Sequence, residues 1–443
     1  MIAMTLAEIA AVCGGAVHGG PDAEARRVTG AAYLDSRTPV AEGLFVAVAG
    51  ERVDGHDYAE GSHAVLGSRP TPAPTVVVDD PVVALDRLAR HVVDRLVAER
   101  GLSVLALTGS QGKTGTKDYL AQLLAADRAT VATAGSYNNE LGLPLTALQA
   151  TERTRALVLE MGARGIGHIS YLCGIAPPSI AAVLNADDPL VAAMTARTHA
   201  RVLTFGREGD VTWRGLELDD LGRPSFELGH AGEWVPVTLG QSGAHQVANA
   251  AAAAAMALAA GVPLGRVGEA LSAARAASRW RMELHERPDG LLVVNDAYNA
   301  NPASMAAALD ALATIGRRRG RRTLAVLGEM RELGEQADAE HRAVGRYAAE
   351  AGIDVVLAVG APAAGIAVGA GDVAGWSGTA VDVEGRDEAL AWVRQNAVAA
   401  DVVLVKASRG AALEVLAEAL LEQEGPPGTG PDTPVTDGGT STP

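Results

Sequence analysis

The run Thr108-Gly109-Ser110-Gln111-Gly112-Lys113-Thr114 has the residue types that hold phosphate, in the order phosphate binding requires. Gly109 and Gly112 let backbone N–H groups turn toward an anion, and a helix starting just after them would add the favourable field of its N-terminus. Lys113 is placed to reach the β- and γ-phosphates of ATP, and the Thr114 hydroxyl to touch a nucleotide-bound Mg2+. The spacing is G-x-x-G-K-T, shorter than the usual G-x-x-x-x-G-K-[ST], so an ordinary glycine turn between strand and helix stays open. Composition weighs against that alternative. Only three lysines, Lys113, Lys117 and Lys406, stand among 37 basic residues, and the rest are arginines. Arginine can replace lysine on a solvated surface but not where a compact point charge is needed, so a lysine retained in this loop is informative.

Other chemistry-bearing residues stand at strand ends and in polar turns. Glu160 closes the apolar run ALVLE, beside the phosphate loop in a parallel sheet; its carboxylate could hold Mg2+ or simply meet a helix N-terminus. Asn138 and Asn139 would orient a substrate or metal-bound water, or cap their turn. Asp296 closes LLVVND, and the C-terminal end of a parallel strand is where open α/β sheets bind ligands. Asn299 and Asn301 surround it, with a tight Asn-Pro turn as their bland alternative. Arg37 suits bidentate phosphate contacts, or a surface role.

The elements that must position these residues read as α/β. Val82 to Ala98 has helical periodicity and leads into the buried strand Ser103–Leu107. Helix Thr116–Ala125, strand ALVLE (156–160), a helix over 165–174 and strand SIAAVLN (179–185) follow, an alternation that predicts a parallel sheet. A turn-rich β region (205–240) precedes an alanine-dense helix, Ala244–Ala260. Near Arg279 a further unit begins, with apolar strands GLLVVND, TLAVLGEM, DVVLAVG and DVVLVKAS spaced by helical segments. At 443 residues, a prior of about 150 residues per domain gives roughly three domains.

The bulk numbers exclude several classes. A net charge of −16 leaves no basic stripe for nucleic acid. No apolar run approaches the length of about 18 residues that membrane insertion needs. The N-terminus MIAMTLAEIAAVCGG lacks a basic leader and reads as a first helix. Cys13 and Cys173 form neither a metal spacing nor a disulfide framework, which fits the cytoplasm.

Several stretches together resemble the Mur ligases, the ATP-dependent amide ligases that extend the peptidoglycan stem peptide. They are TGSQGKT, SYNNELGLPLT (136–146), LEMGARG (159–165), NDAYNANPASM (295–305) and VLGEMRELGE (326–335). DSR (35–37), GLFVAVAGERVDGHD (43–57) and VLVKASRGA (403–411) agree as well. The YNANP run discriminates within the family: it points to the member that joins D-alanyl-D-alanine to UDP-N-acetylmuramoyl-tripeptide. It points away from the amino-acid-adding siblings and from folate polyglutamate ligases.

The resemblance implies a three-domain architecture with a central P-loop parallel sheet and a Rossmann-like C-terminal domain. Its divisions fall at 1–98 for the UDP-sugar-binding domain, 99–277 for the ATP-binding domain and 278–424 for the ligase domain; the Pro-, Gly- and Thr-rich stretch that remains, 425–443, reads as a disordered tail. The resemblance also implies ATP and Mg2+ as cofactors, a monomer, and two substrates. Thr108 to Thr114, Asn249, Arg281 and Asp296 would hold ATP, with Lys113, Arg281 and Asp296 catalytic. Thr114 and Glu160 would hold the metal. Ser36, Arg37, Asn138 and Asn139 would meet the UDP-sugar substrate, with His56 and Asp57 nearby, and Tyr298, Asn299 and Asn301 the dipeptide. Asn249 belongs to a G-x-H-N-x-x-N helix start in which Gln246 replaces the first Asn, and helix capping is the alternative for His245 and Asn249. Arg279 rivals Arg281, and Lys406 matches a family lysine in a strand-end loop.

One stretch departs from the family. Mur ligases follow the glutamate-bearing strand with one ending in N-x-G-x-x-H, then a helix carrying a lysine that becomes carbamylated, then a strand ending near N-A-D-D. Here SIAAVLN runs straight into ADDPLVAAM, as though two strands were fused near 178–187. A βα unit of roughly 30 residues is lacking, and no lysine exists between Lys117 and Lys406. His168 matches a helix position after EMGARG and not the lost histidine. Three outcomes stay open: a weak or inactive relative that still binds ATP or UDP-muramoyl peptide, a second metal site supplied otherwise, or an incomplete gene reading.

Overall fold

The computed structural model describes residues 1–50, 53–135 and 137–422. The tail at 425–443, expected to be disordered, lies outside them, as do Ser136 and residues 51 and 52 of two motif stretches. The described chain forms two compact units: Met1–Met282 with Arg317–Arg319, and Glu283–Gly316 with the chain from Gly320.

The first unit opens with helix Leu6–Cys13, where Thr5 and Glu8 form a reciprocal capping box. A five-stranded sheet follows, in the spatial order 16–18, 75–77, 64–67, 44–46, 32–33. Helix α1 (Pro81–Arg100) starts where the Asp80 carboxylate accepts from the N–H groups of Val82 and Val83, with Pro81 in the first turn, and stops at left-handed Gly101. Its buried residues, Pro81, Ala84, Leu85, Leu88, Ala89, Val92, Val93 and Leu96, recur at three- and four-residue steps and form one face. That face joins Leu44 and Leu66 to Val104, Leu143, Leu157 and Leu172 in one continuous core.

Behind α1 stand strands β1 (Ser103–Leu107), β2 (Thr130–Ala132) and β3 (Ala156–Glu160), all parallel, with β3 in the middle. Helix α2 (Lys113–Ala125) connects β1 to β2. A second sheet contains β4 (Ala182–Asn185), β5 (Val202–Phe205), β6 (Val211–Leu218), β7 (Pro224–His230) and β8 (Glu233–Thr238) in sequence order. Helix α3 (His245–Ala259) buries alanines at 250, 251, 253, 254, 255 and 257 in the core shared with Tyr119, Leu120 and Leu123 of α2. Side chains this small allow two helices to approach closely.

The structure corrects the strand expected over 179–185. Only Ala182–Asn185 is strand, and it pairs with β5. Ser179 instead reaches the edge of β1, its N–H donating to Val104 O at 3.1 Å while its Oγ accepts from Val104 N at 3.1 Å. A stretch this short cannot serve both neighbours, so among the described residues β1 and β4 do not pair with each other, and the strands from β1 to β8 form two separate sheets.

The second unit is a six-stranded sheet. Its order is β9 (Glu283–Glu286), β10 (Leu292–Asn295), β14 (Val402–Lys406), β11 (Thr323–Leu327), β12 (Val355–Val359), β13 (Thr379–Val383), and only β9 runs antiparallel. The four apolar runs read from the sequence are its four interior strands, as burial on both faces requires. Among the described residues no helix is long and apolar enough to cross a membrane.

Candidate active site

Thr108 to Gly112 link the end of β1 to the first turn of α2, which no side chain caps. The N–H groups of that turn are therefore donors for an anion. Gly112 takes φ +75°, and a Cβ there would lie 2.4 Å from Asn249 Oδ1, so conformation and space both demand glycine. Asn249 thus sits against the phosphate loop, and its Nδ2 donates to Gln246 Oε1 at 3.2 Å. The Gln at the departed family position is what orients it. Lys113 arches back over the loop, donating from Nζ to Gly109 O at 2.7 Å and Ser110 O at 3.5 Å. Its ammonium meets carbonyls there and not a carboxylate.

Glu160 ends β3 opposite Leu107, the last residue of β1, which brings its carboxylate under the start of α2. It is 1% exposed. Thr114 Oγ1 donates to Oε2 at 2.9 Å, and Asn138 Nδ2 donates to Oε1 at 2.9 Å. Three residues singled out from sequence converge here. Thr133, which the sequence did not flag, accepts from Glu160 N at 3.0 Å and fixes the strand end; a threonine just past a short strand carries no local signal. A hydroxyl and a carboxylate in contact suit a hard cation with oxygen ligands, because rotating the Thr114 proton away frees a lone pair beside the Glu160 charge. The residues present fit one Mg2+.

The neighbouring loops are stitched to this group. Gly162 N donates to Asn138 O at 2.8 Å. Asn139 Oδ1 accepts from Gly142 N at 2.8 Å and Leu141 N at 3.3 Å, so this oxygen caps the turn. His168 Nδ1 accepts from Arg164 N at 3.1 Å and its Nε2 faces Glu140 at 3.5 Å, which ties it to the loop after β3. Asn138→Ala should leave the buried Oε1 of Glu160 without its donor and cost about 1–3 kcal/mol. Chemical denaturation checks this, and an unchanged stability would remove the bridging role.

Elsewhere in the first unit, Ser36 and Arg37 lie in the loop after strand Ala32–Tyr33. Arg37 donates from N, Nε and Nη2 to the Asp35 carboxylate at 3.0, 2.9 and 2.7 Å, and these bonds pull the Asp35 carboxyl down to about 2. His56 is 3% exposed, an unexpected depth for a turn residue. Its Nε2 accepts from Ser68 N at 2.8 Å, so the proton resides on Nδ1, 2.5 Å from Asp54 Oδ1. His56 thus ties its own turn to Ser68, just past strand Ala64–Gly67, and Asp57 pairs with Arg69 at 2.6 Å. Arg281 lies between Trp280 and Met282, both in the left-handed region at φ 57° and 50°, and the Arg279 guanidinium covers the Trp280 ring at 4.9 Å.

The second unit brings together a different set. Lys406, at the end of β14, donates from Nζ to Asp296 Oδ2 at 2.6 Å and to Asn299 O at 2.8 Å. Asp296 directly follows β10, and its N–H donates to Val405 O at 2.9 Å. Asn301 caps helix α4 (Pro302–Arg319), accepting from Ser304 N at 2.8 Å in a capping box. Asn299 Oδ1 accepts from Ala300 N at 2.9 Å, and Tyr298 lies between Asp296 and Asn299 in the sequence. Ser408, also unflagged, accepts from Arg331 N at 3.0 Å and holds the 326–335 stretch to the strand-end loop.

Compared with known proteins, residues 280–409 match the family pattern described as Mur ligase, glutamate ligase domain. Two stretches, 107–185 and 181–257, match that of the Mur ligase middle domain. The chain is 42% identical to the UDP-N-acetylmuramoyl-tripeptide–D-alanyl-D-alanine ligase of Mycobacterium tuberculosis, covering 96% of this chain and 99% of the relative. That alignment spans 506 positions, more than the chain has residues, so the relative carries segments without a counterpart here. The ligase of the same name from Escherichia coli is 31% identical, over 95% of this chain and 99% of the relative. Crystal structure I of MurF from Acinetobacter baumannii superposes with a TM-score of 0.82 at 28% identity, covering 95% of this chain and 99% of that one. MurF from Thermotoga maritima in complex with ADP gives 0.74 at 27% identity, covering 89% and 97%.

Proposed function

From the premise that the chain belongs to the Mur ligase family, we propose that it ligates D-alanyl-D-alanine to UDP-N-acetylmuramoyl-tripeptide at the expense of ATP. The observation that carries this reading is the Thr114–Glu160–Asn138 group under an uncapped helix start, in a chain that aligns along nearly its whole length with ligases of that name. The tripeptide carboxylate takes the γ-phosphoryl group of ATP to give an acyl phosphate and ADP. The dipeptide amine then attacks the acyl carbon and phosphate leaves.

Both steps spread negative charge over oxygens, so preorganised donors and cations are what lower the barrier. The N–H groups of Gly109 to Gly112 orient the phosphates, and Lys113 supplies a point charge at the transferred group. Arg281 adds a planar cation there, with Arg279 its rival. Asn249, positioned by Gln246, would meet the base; Asp296 is assigned to the ribose by the resemblance to the family. Ser36, Arg37, Asn138 and Asn139 serve the UDP-sugar substrate, and Tyr298, Asn299 and Asn301 the dipeptide. Thr114 and Glu160 would hold Mg2+, which supplies Lewis-acid neutralisation of phosphate charge when bound. The protein works in the cytoplasm as a monomer, in peptidoglycan precursor synthesis.

Purified protein should release phosphate only when ATP, Mg2+, UDP-muramoyl tripeptide and D-alanyl-D-alanine are all present. The open edge between β1 and β4 favours one second reading, a protein that binds nucleotide without turning it over. Nucleotide binding with no dipeptide-dependent phosphate release would decide for that reading.

A further inference from the structure

The crossing between the two central sheets bears on how many cations the site can take. In a parallel sheet the ligand is met by loops leaving the C-terminal ends of adjacent strands. β1 delivers the phosphate loop and β3 delivers Glu160. On the other side of β1 no strand stands among the described residues: Ser179 makes one backbone bond to the β1 edge, and three residues later β4 pairs with β5. The middle-domain pattern divides at the same place, its two stretches overlapping on 181–185. No strand-end loop therefore faces the phosphate loop from that side.

The residues that could compensate are already engaged. After β4, Asn185 Oδ1 accepts from Asp187 N at 3.0 Å and Asp187 Oδ1 from Arg207 N at 2.8 Å. Asp188 Oδ1 accepts from Leu190 N at 2.9 Å and Val191 N at 3.3 Å. These are turn and helix caps. His168 is tied through Nδ1 to the Arg164 N–H. Lys117, the one further lysine in the first unit, is 3% exposed and paired with Asp118 at 2.5 Å. Among the described residues no group of three or more His, Cys, Asp or Glu side chains could hold a metal ion.

We infer that this ligase site is built for a single divalent cation, the one that Thr114 and Glu160 would hold with the nucleotide, and that no second cation position is formed on the side of β1 where no strand stands. The inference rests on the ATP-ligase reading. It disagrees with the second metal site that the resemblance implies, because neither the residues after β4 nor the topology beside β1 supplies one.

The test is a Mn2+ titration of the full chain with the β,γ-imido analogue of ATP, followed by electron paramagnetic resonance. Nucleotide occupancy is measured separately by equilibrium dialysis. One bound Mn2+ per bound nucleotide is expected, unchanged when UDP-muramoyl tripeptide is added. Glu160→Gln should weaken that Mn2+ by at least about 10-fold, the lower end of what losing even an outer-shell partner costs, while the protein stays folded. Two Mn2+ per nucleotide would overturn the single-cation site and leave the ligase reading standing. Absence of bound nucleotide would overturn both.

Discussion

Lys113→Ala is expected to lower ATP-dependent phosphate release by about 100- to 1,000-fold, the usual cost of removing one preorganised stabiliser of transition-state charge. Among the described residues the side chain is anchored to the carbonyls of Gly109 and Ser110 alone, so its removal leaves no buried carboxylate unpaired and thermal stability should hold. Lys113→Arg is the sharper companion. The chain uses arginine almost everywhere else, yet a planar fork cannot occupy the place of a compact ammonium curled over a four-residue turn. It should recover little of the rate. Phosphate release at saturating substrates, read beside a melting curve, checks both variants. Full activity in Lys113→Arg would show that charge alone is required.

The second large effect belongs to the other unit. Lys406→Met should destabilise it by about 3 kcal/mol, because breaking a buried pair strands an uncompensated charge. Lys406 is 2% exposed, and its ammonium is divided between the Asp296 carboxylate and Asn299 O. Adding Asp296→Leu to that variant should return most of the loss, since no lone charge then remains. Urea unfolding measures the difference. A loss below about 1 kcal/mol, the range of an exposed ion pair, would mean that the pair is not buried in solution.

The phosphate loop was legible because its chemistry is local: seven successive residues and the strand before them carry the whole signal. Glu160 was legible as a carboxylate closing an apolar run. What sequence did not reveal is who meets whom. Asp296 and Lys406 stood out separately, yet only the parallel pairing of β10 with β14 puts them in contact across 110 residues. Thr133 and Ser408 act through side-chain hydrogen bonds that no pattern marks. The edge strands β9 and β13 escaped notice because ELHE and TAVDV carry charges where interior strands carry apolar runs. His56 looked like a turn residue near a ligand because its burial depends on Ser68, twelve positions away. The polar turns at Asn139 and Asn301 could be read either way from sequence, and their oxygens serve as caps.

Ser179 and Ala182 already lie on the two strand edges that a restored βα unit would have to join. A segment transplanted from a longer relative would enter and leave at neighbouring points, with both flanking strands in place to receive it. The seam between the two sheets is thus a natural splice point, where a βα unit could be inserted without redrawing the rest of the scaffold.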